Sequence, residues 1–164
     1  RLSKIPLKTT QNIVGELEKE GVFKSSIHGK NKYFALNLDN IKTKFYIQQS
    51  EIQKTASFME KYPPFKTFLK EIAADDPLIV FGSFAKFEAD INSDLDLLVI
   101  SKEKLKLPYH ILPYKIHEIV LSEKLFVKGI QTNETLINEI MQNHIILNNH
   151  SFFVNKIWAQ YEGQ

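Results

Sequence analysis

The chain has 164 residues, of which 43% are hydrophobic and 24% charged, and it contains no cysteine. This composition predicts one ordinary globular domain or two small ones, and it excludes a disordered, collagen-like or coiled-coil protein. It also excludes a disulfide framework and a thiolate metal site, which suits the reducing cytoplasm. The net charge is +2, divided into +4 over residues 1–33 and −2 over the rest. This division favours two modules, the first facing nucleic acid, although a solvated face explains it as well.

Residues 1–38 predict a helix followed by a β-hairpin. Ile13, Val14 and Leu17 follow a helical period, and Gly21 suits the left-handed residue that ends a helix. Thr9 or Thr10 is expected to cap the start of the helix. Two β-prone runs, 22–27 and 32–36, then flank a polar turn that contains a glycine.

Residues 39–63 predict a helical linker that ends at a Pro-Pro pair. Its expected apolar stripe consists of Ile41, Phe45, Ile52, Ala56 and Met59.

The third segment, 64–164, predicts alternating helices and strands. Strands are expected over 78–81, 95–100 and 114–121. Helices are expected over 65–74 and 84–89, from Ser122, from about Thr135 and over 151–161. The sequence therefore predicts an α+β fold with a small mixed sheet, preceded by a helical module.

One stretch, from Gly82 to Val99, combines two features that suit phosphate transfer. A buried strand ends at Gly82-Ser83 and turns into a helix. Glycine lets the backbone approach a ligand, and a helix start with a serine hydroxyl favours phosphate. Asp94 and Asp96 are two apart in the next strand, so they share a face and need a cation between them. A turn followed by a strand with polar edge residues is the simpler alternative.

This stretch resembles the signature of the nucleotidyltransferase superfamily that includes polymerase-β-like enzymes. It is most similar to the minimal nucleotidyltransferases of archaea and bacteria, whose pattern is Gly-Ser, Ala-Arg/Lys-Gly, then Ser-Asp-x-Asp. The chain departs from that pattern at Phe87, where the family has glycine. It matches the pattern, including the apolar residues that follow it, at Gly82, Ser83, Ala85, Lys86, Ser93, Asp94, Asp96, Leu97 and Val99. The departure alters the turn behind the loop and removes no ligand.

The resemblance implies a third carboxylate on a later strand, which completes the metal site or acts as base. Glu118 is the candidate, and an outward-facing strand residue is the alternative. Lys86 is expected either to contact the triphosphate or to be a solvated helix residue. The five histidines have no metal-ligand spacing and are interpreted as ordinary surface or core residues.

Residues 3–36 resemble the back half of a winged helix-turn-helix whose first helix is missing, which suggests a truncated chain. DNA-binding versions present the start of their recognition helix to base edges and their wing to phosphates. The resemblance therefore assigns nucleic-acid contacts to Lys8, Thr9, Thr10, Gln11 and Asn12, and to Lys30 and Lys32 on the wing. A protein-interaction or dimerisation module is the alternative.

The sequence thus predicts a nucleotidyltransferase that moves a nucleoside monophosphate from an NTP, ATP first, to an acceptor hydroxyl with Mg²⁺ or Mn²⁺. Gly82, Ser83 and Lys86 are expected to hold the nucleotide, and Asp94, Asp96 and Glu118 the metal. The acceptor is a protein, an RNA end or a small molecule, and some members of the family work as antitoxins beside a toxin partner. The alternative is a DNA-binding regulator whose nucleotidyltransferase domain senses nucleotide or is inert. No apolar run approaches the ~18–20 residues of a membrane helix, so no membrane partner is expected.

Overall fold

A computed structural model describes residues 5–73 and 75–162. The front of the chain forms α1 (Leu7–Lys19), β1 (Phe23–His28), β2 (Asn31–Leu36) and α2 (Ile41–Lys61). The remainder forms α3 (Pro64–Glu71), β3 (Leu78–Phe81), α4 (Gly82–Ala85), β4 (Leu95–Ile100), a 3₁₀ turn (Tyr109–Ile111), β5 (Ile116–Leu121), α5 (Glu123–Thr132), α6 (Thr135–Gln142), β6 (Ile145–Asn148) and α7 (His150–Glu162). Within the described ranges, no helix is both long and apolar enough to cross a membrane.

The larger sheet has four strands in the order β5-β4-β3-β6. β3 runs antiparallel to both β4 and β6, whereas β4 and β5 are parallel. The predicted α+β fold with a small mixed sheet is confirmed. The strand β6 was not predicted, because its short apolar run, Ile145–Leu147, is indistinguishable by pattern from the end of a helix.

Helices cover both faces of this sheet. On one face, Leu78, Val80, Leu95, Leu97 and Val99 pack with a cluster of aromatic side chains: Phe58, Tyr62, Phe65, Phe68 and Phe84. On the other face, Ile79, Phe81, Leu98 and Ile100 pack with Phe126, Ile137, Ile140 and Phe153. β3 is buried on both faces, as its continuous apolar run predicts.

The front of the chain has the predicted helix and hairpin. Gly21 has a φ of +74° at the end of α1, and Gly29 has a φ of +63° in the turn between β1 and β2. The expected threonine cap is wrong, because α1 begins at Leu7 and no side chain caps its first turn. No residue of α1 is buried, so the module exposes apolar surface, including Leu7 and Ile13.

The predicted apolar stripe of α2 is largely exposed rather than packed. Ile41, Phe45 and Ile52 are 56%, 64% and 49% exposed. The helix docks instead through Phe58, which lies in the aromatic cluster, and through two buried threonines, which satisfy carbonyl groups on its neighbours. The Thr43 hydroxyl donates to Asn37 O at 2.6 Å, and the Thr55 hydroxyl donates to Ile146 O at 2.7 Å.

Two helices begin or end away from their predicted limits. α4 starts at Gly82 and has only four residues, whereas 84–89 was expected. α3 covers Pro64–Glu71, and Ala74, the predicted last residue of that helix, lies outside the described residues.

Candidate active site

Asp94 directly precedes β4 and Asp96 is its second residue, so the two side chains lie on the same face of the sheet. The preceding turn is closed on itself, since Asp90 Oδ1 accepts from Asn92 N at 2.9 Å and Ser93 N donates to Asp90 O at 3.2 Å. The side chain of Asp94 is 50% exposed and that of Asp96 is 29% exposed. Their carboxylates are therefore fixed by β4 and accessible to solvent.

The predicted phosphate loop lies against Asp96. Gly82 follows β3 directly and has a φ of +67°. A Cβ placed on it would overlap Asp96 Oδ2 and lie 3.3 Å from Asp96 Cγ. Only glycine meets both conditions, because an L side chain is strained at this φ and has no room there. The structure thus brings Gly82 and Asp96 together, as the sequence predicts.

The other two residues predicted to bind the nucleotide differ in their exposure to solvent. Ser83 is half-buried next to Gly82, and Lys86 is exposed just after α4. A helix of four residues has a weak dipole, so the backbone of the loop and the Ser83 hydroxyl matter more than the helix does.

Phe87 stands where the family pattern has glycine, and it has a backbone conformation that glycine adopts easily. Its φ is +61°. The ring packs edge-on against Phe58, with centroids 6.1 Å apart. Lys61 Nζ donates to the Phe87 carbonyl and lies 6.0 Å from the ring centroid. Contacts from α2 thus hold Phe87 in this conformation.

β5 and the residue just before it, Lys115, present two nitrogen groups to the aspartates. In the parallel ladder Asp96 stands opposite His117, so these side chains share a face. His117 Nδ1 lies 3.1 Å from Asp96 Oδ1, and Lys115 Nζ lies 3.0 Å from Asp94 Oδ2. Neither contact was predicted from the sequence, although the strand alternation places His117 on the face opposite to Glu118.

Glu118 does not join the aspartates, so the prediction that it completes the metal site is wrong. It stands opposite Leu97, which turns its side chain to the other face of the sheet. There its Oε1 accepts a hydrogen bond from the Tyr109 hydroxyl. Burial and this bond to the carboxylate raise the pKa of Tyr109 well above its usual range. Glu118 is thus a structural partner of Tyr109.

The aspartates can supply two carboxylates to one divalent cation, and the third carboxylate that the sequence predicts does not join them. Two carboxylates on one face are enough for a cation that a nucleotide's phosphates also hold. No three His, Cys, Asp or Glu side chains in the described ranges are already arranged as a metal-binding group. The fit therefore rests on Asp94 and Asp96.

The predicted nucleic-acid residues are divided between the start of α1 and the hairpin of the front module, the part of the chain from α1 to β2. Lys8, Gln11 and Asn12 are exposed at the start of α1, as is Thr9, whereas Thr10 is half-buried. On the hairpin, Lys32 Nζ pairs with Glu18 Oε2 at 2.7 Å, which reduces the charge it offers to a ligand. Lys30 makes no ion pair within the described residues.

A second cluster of titratable side chains lies between α2, α6 and α7 and consists of Glu51, His144 and His150. His144 Nδ1 lies 2.8 Å from Ile140 O, and its Nε2 lies 3.2 Å from Glu51 Oε2. Burial raises the pKa of Glu51, but His144 and Lys54 outweigh burial and hold that pKa below its usual value. Burial lowers the pKa of nearby His150.

Comparison with known families gives one match. Residues 66–152 match the family described as polymerase beta, nucleotidyltransferase. The matched region covers just over half of the chain and includes the complete four-stranded sheet. No curated protein and no solved structure gives a significant match.

Proposed function

The chain belongs to the polymerase beta nucleotidyltransferase family, and from this we propose that it transfers a nucleoside monophosphate from an NTP to an acceptor hydroxyl. The observation that carries the proposal is the contact between the loop and the carboxylates. Gly82 lies directly against Asp96, and Asp94, two residues earlier and just before β4, lies on the same side of the sheet. Phosphate-binding backbone and cation-binding oxygens thus meet at one edge of the sheet.

The loop is suited to bind the triphosphate. Because Gly82 has no side chain, a phosphate group can approach its backbone closely. The hydroxyl of half-buried Ser83 can donate to a phosphate oxygen, and exposed Lys86 can turn toward the same oxygens. These three residues would orient the β and γ phosphates so that pyrophosphate can leave.

Asp94 and Asp96 are the residues that would hold a divalent cation, Mg²⁺ or Mn²⁺. When bound, such a cation neutralises phosphate charge and favours the loss of pyrophosphate. The two carboxylates also repel each other, so binding a cation between them relieves that repulsion.

In the proposed reaction, the acceptor oxygen forms a bond to the α-phosphorus while the bond between that phosphorus and the bridging oxygen of the β-phosphate breaks. The electron pair of the broken bond leaves with pyrophosphate. Because Asp94 is half exposed, the site is open to water, and the acceptor proton passes to solvent. The chain therefore contributes positioning and electrostatic stabilisation, the main terms in phosphoryl-group transfer.

Label transfer tests this proposal and identifies the acceptor. The protein is incubated with Mg²⁺ or Mn²⁺ and each of four α-phosphate-labelled NTPs, with source-cell extract as the pool of acceptors. We expect label on a discrete protein, RNA or small-molecule species, with ATP as the first donor to try. An Asp94→Ala/Asp96→Ala variant should lose the label. Absence of label from every NTP, despite saturable NTP binding, would contradict the proposal.

A nucleotide-sensing regulator is the second candidate, and one observation favours it. On the face of the aspartates, β5 and the residue before it present His117 and Lys115 instead of an acidic group. A site whose two carboxylates are paired with an ammonium and an imidazole can bind nucleotide without transferring it. Binding without turnover, measured with the same labelled NTPs, separates this candidate from the enzyme.

We also propose that the front module binds nucleic acid through Lys8, Lys30 and the start of α1. The support is the exposure of these residues together with the +4 charge of residues 1–33. The bound DNA or RNA would either be a regulatory site or carry the acceptor hydroxyl. A module that contacts a protein acceptor or a toxin partner would instead show no affinity for nucleic acid.

A further inference from the structure

A cavity of about 740 Å³ lies between the front module and the helices α2 and α7, and no residue of the candidate active site lines it. This volume falls in the range of about 300–1,000 Å³ that small-molecule sites occupy. The walls are mostly apolar: the hairpin side contributes Val22 and Leu36, α2 contributes Ile47, and α7 contributes Val154 and Trp158. The cavity therefore has the size and the lining of a binding site that is separate from the aspartates.

Glu51 gives this apolar cavity a charged acceptor. Its Oε2 lies 3.2 Å from His144 Nε2 and 3.4 Å from Lys54 Nζ, whereas no residue in the described part of the chain donates to its Oε1. Burial raises the pKa of Glu51, but His144 and Lys54 outweigh burial and hold that pKa below its usual value. The carboxylate is therefore ionised at neutral pH, and one of its two oxygens is left for a ligand.

We propose that the cavity binds a small molecule that has an apolar body and a hydroxyl or amino group at one end, which donates to Glu51 Oε1. An ionised carboxylate only accepts hydrogen bonds, so the polar end of the ligand has to be a donor. Burial of the apolar body against the walls drives binding, and the bond to a charged acceptor fixes the orientation. An anionic end is disfavoured because the carboxylate would repel it. One free acceptor oxygen suits a single donor group better than the row of donors that a peptide backbone presents.

The position of the cavity gives such a ligand a structural effect. Tyr46, which also lines the cavity, donates through its hydroxyl to Glu20 Oε2 at 2.7 Å and so links α2 to the end of α1. α1 itself has no buried residue. A ligand in contact with the hairpin, α2 and α7 would add apolar contacts to this polar link, so its binding should raise the temperature of unfolding.

Trp158 is the only tryptophan of the chain, and because it lines the cavity its fluorescence reports whether the cavity is occupied. The full chain is titrated with 6-phenylhexan-1-ol, with the methyl ether of this alcohol and with 6-phenylhexanoate. None of the three absorbs at the red edge of the tryptophan band, where the protein is excited. We expect a saturable change in Trp158 emission with the alcohol, and an affinity about tenfold higher than that of the ether or the carboxylate.

Variants of α2 test the cavity and its acceptor separately. Ser50→Phe places a ring in the cavity from an exposed position and should abolish the saturable change. Ser57→Phe is the matched control, since Ser57 is exposed about two turns further along the same helix and does not line the cavity. Glu51→Ala should reduce the affinity of the alcohol to that of the ether, and retained binding of the ether shows that this variant is folded.

Three outcomes would overturn the proposal. Equal affinity for the alcohol and the ether in the wild type would overturn the role of Glu51, whatever the variants show. No saturable change with any of the three compounds, or an unchanged response in Ser50→Phe, would overturn the binding site itself. Emission from Trp158 that depends on protein concentration without any compound would show that a second copy of the chain fills the cavity. None of these measurements uses label transfer, so the proposed transferase is tested separately.

Discussion

His117 and Glu118 are neighbours in β5, yet they belong to opposite faces of the sheet. His117 Nδ1 lies 3.1 Å from Asp96 Oδ1, whereas Glu118 accepts a hydrogen bond from Tyr109. The parallel register with β4 determines which of the two reaches the aspartates, because side chains alternate along a strand. The register between β4 and β5 thus determines which side chains lie next to the aspartates.

The contact between Gly82 and Asp96 predicts a large effect of one methyl group. Gly82→Ala adds a Cβ that overlaps Asp96 Oδ2 at a φ of +67°. We expect a loss of about 1–2 kcal/mol in unfolding free energy from the backbone alone. Displacement of the carboxylate should lower label transfer by about 100-fold.

Gly15→Ala is the matched control for this substitution. Gly15 lies within α1, and a Cβ added to it would have no other atom within 4 Å. Alanine there should raise stability by about 0.5–1 kcal/mol and leave transfer unchanged. Equal losses in the two variants, measured by urea unfolding and label transfer, would contradict the special role of Gly82.

The backbone conformation at position 87 predicts the order of stability of three variants, with phenylalanine, glycine or alanine at this position. Removing the ring in Phe87→Ala loses its packing on Phe58 and keeps the strain of a φ of +61°. Phe87→Gly loses the same packing but relieves that strain. We expect both to be less stable than the wild type, with glycine about 1 kcal/mol more stable than alanine. Urea denaturation measures this order, and alanine more stable than glycine would contradict the assigned backbone conformation.

Much of this architecture could be predicted from sequence because its signals are local. The strands 78–81 and 95–100 follow from apolar runs, and the short connection between them places the glycine loop opposite the aspartates. Glu118 could not be placed in the same way, since its face depends on how β5 pairs with β4. The alternation within β5 separated Glu118 from His117, but it did not indicate which of them meets Asp96.

The apolar stripe of α2 could not be assigned to the core from periodicity alone. Its exposed members, such as Phe45, follow the helical period as well as a buried stripe would. The buried face of the helix consists of Phe58, which packs in the core, and of Thr43 and Thr55, which donate to buried carbonyl groups. Those partners are distant in sequence, so no local pattern reveals them.

Stability should fall in two steps as the pH is lowered. The pKa of His150 is below its usual 6.5 in the fold, so the unfolded chain binds a proton first and stability decreases as the pH falls below 6.5. The pKa of Glu51 is below its usual 4.5, so its contribution is present above 4.5 and is lost as the pH falls through the lowered value.

Thermal unfolding from pH 8 to 3 measures both steps. His150→Gln should flatten the upper step and Glu51→Gln the lower one, whereas His28→Gln, at an exposed position of β1, should change neither. An unchanged profile in both variants would contradict the assignment.

The lysines of the front module are expected to contribute unequally to nucleic-acid binding. If Lys8 and Lys30 contact phosphates, their replacement by alanine should weaken binding across sequences and reduce the salt slope by about 0.9 for each phosphate that is no longer neutralised. Lys32→Ala should have a smaller effect because Lys32 is paired with Glu18.

Fluorescence anisotropy with labelled DNA and RNA at several salt concentrations makes this measurement. Lys70→Ala, on exposed α3 surface, is the control. Equal effects of Lys70 and Lys30 would contradict a specific interface on the hairpin.

The most direct test of the site is label transfer by Asp96→Asn compared with Glu118→Gln. Each substitution removes one carboxylate charge from the same sheet with little change of shape, but the two residues face opposite sides. Asp96→Asn should lower transfer by about 100-fold or more, and Glu118→Gln should retain wild-type transfer with its bond to Tyr109. Loss of transfer in Glu118→Gln together with full transfer in Asp96→Asn would contradict the account.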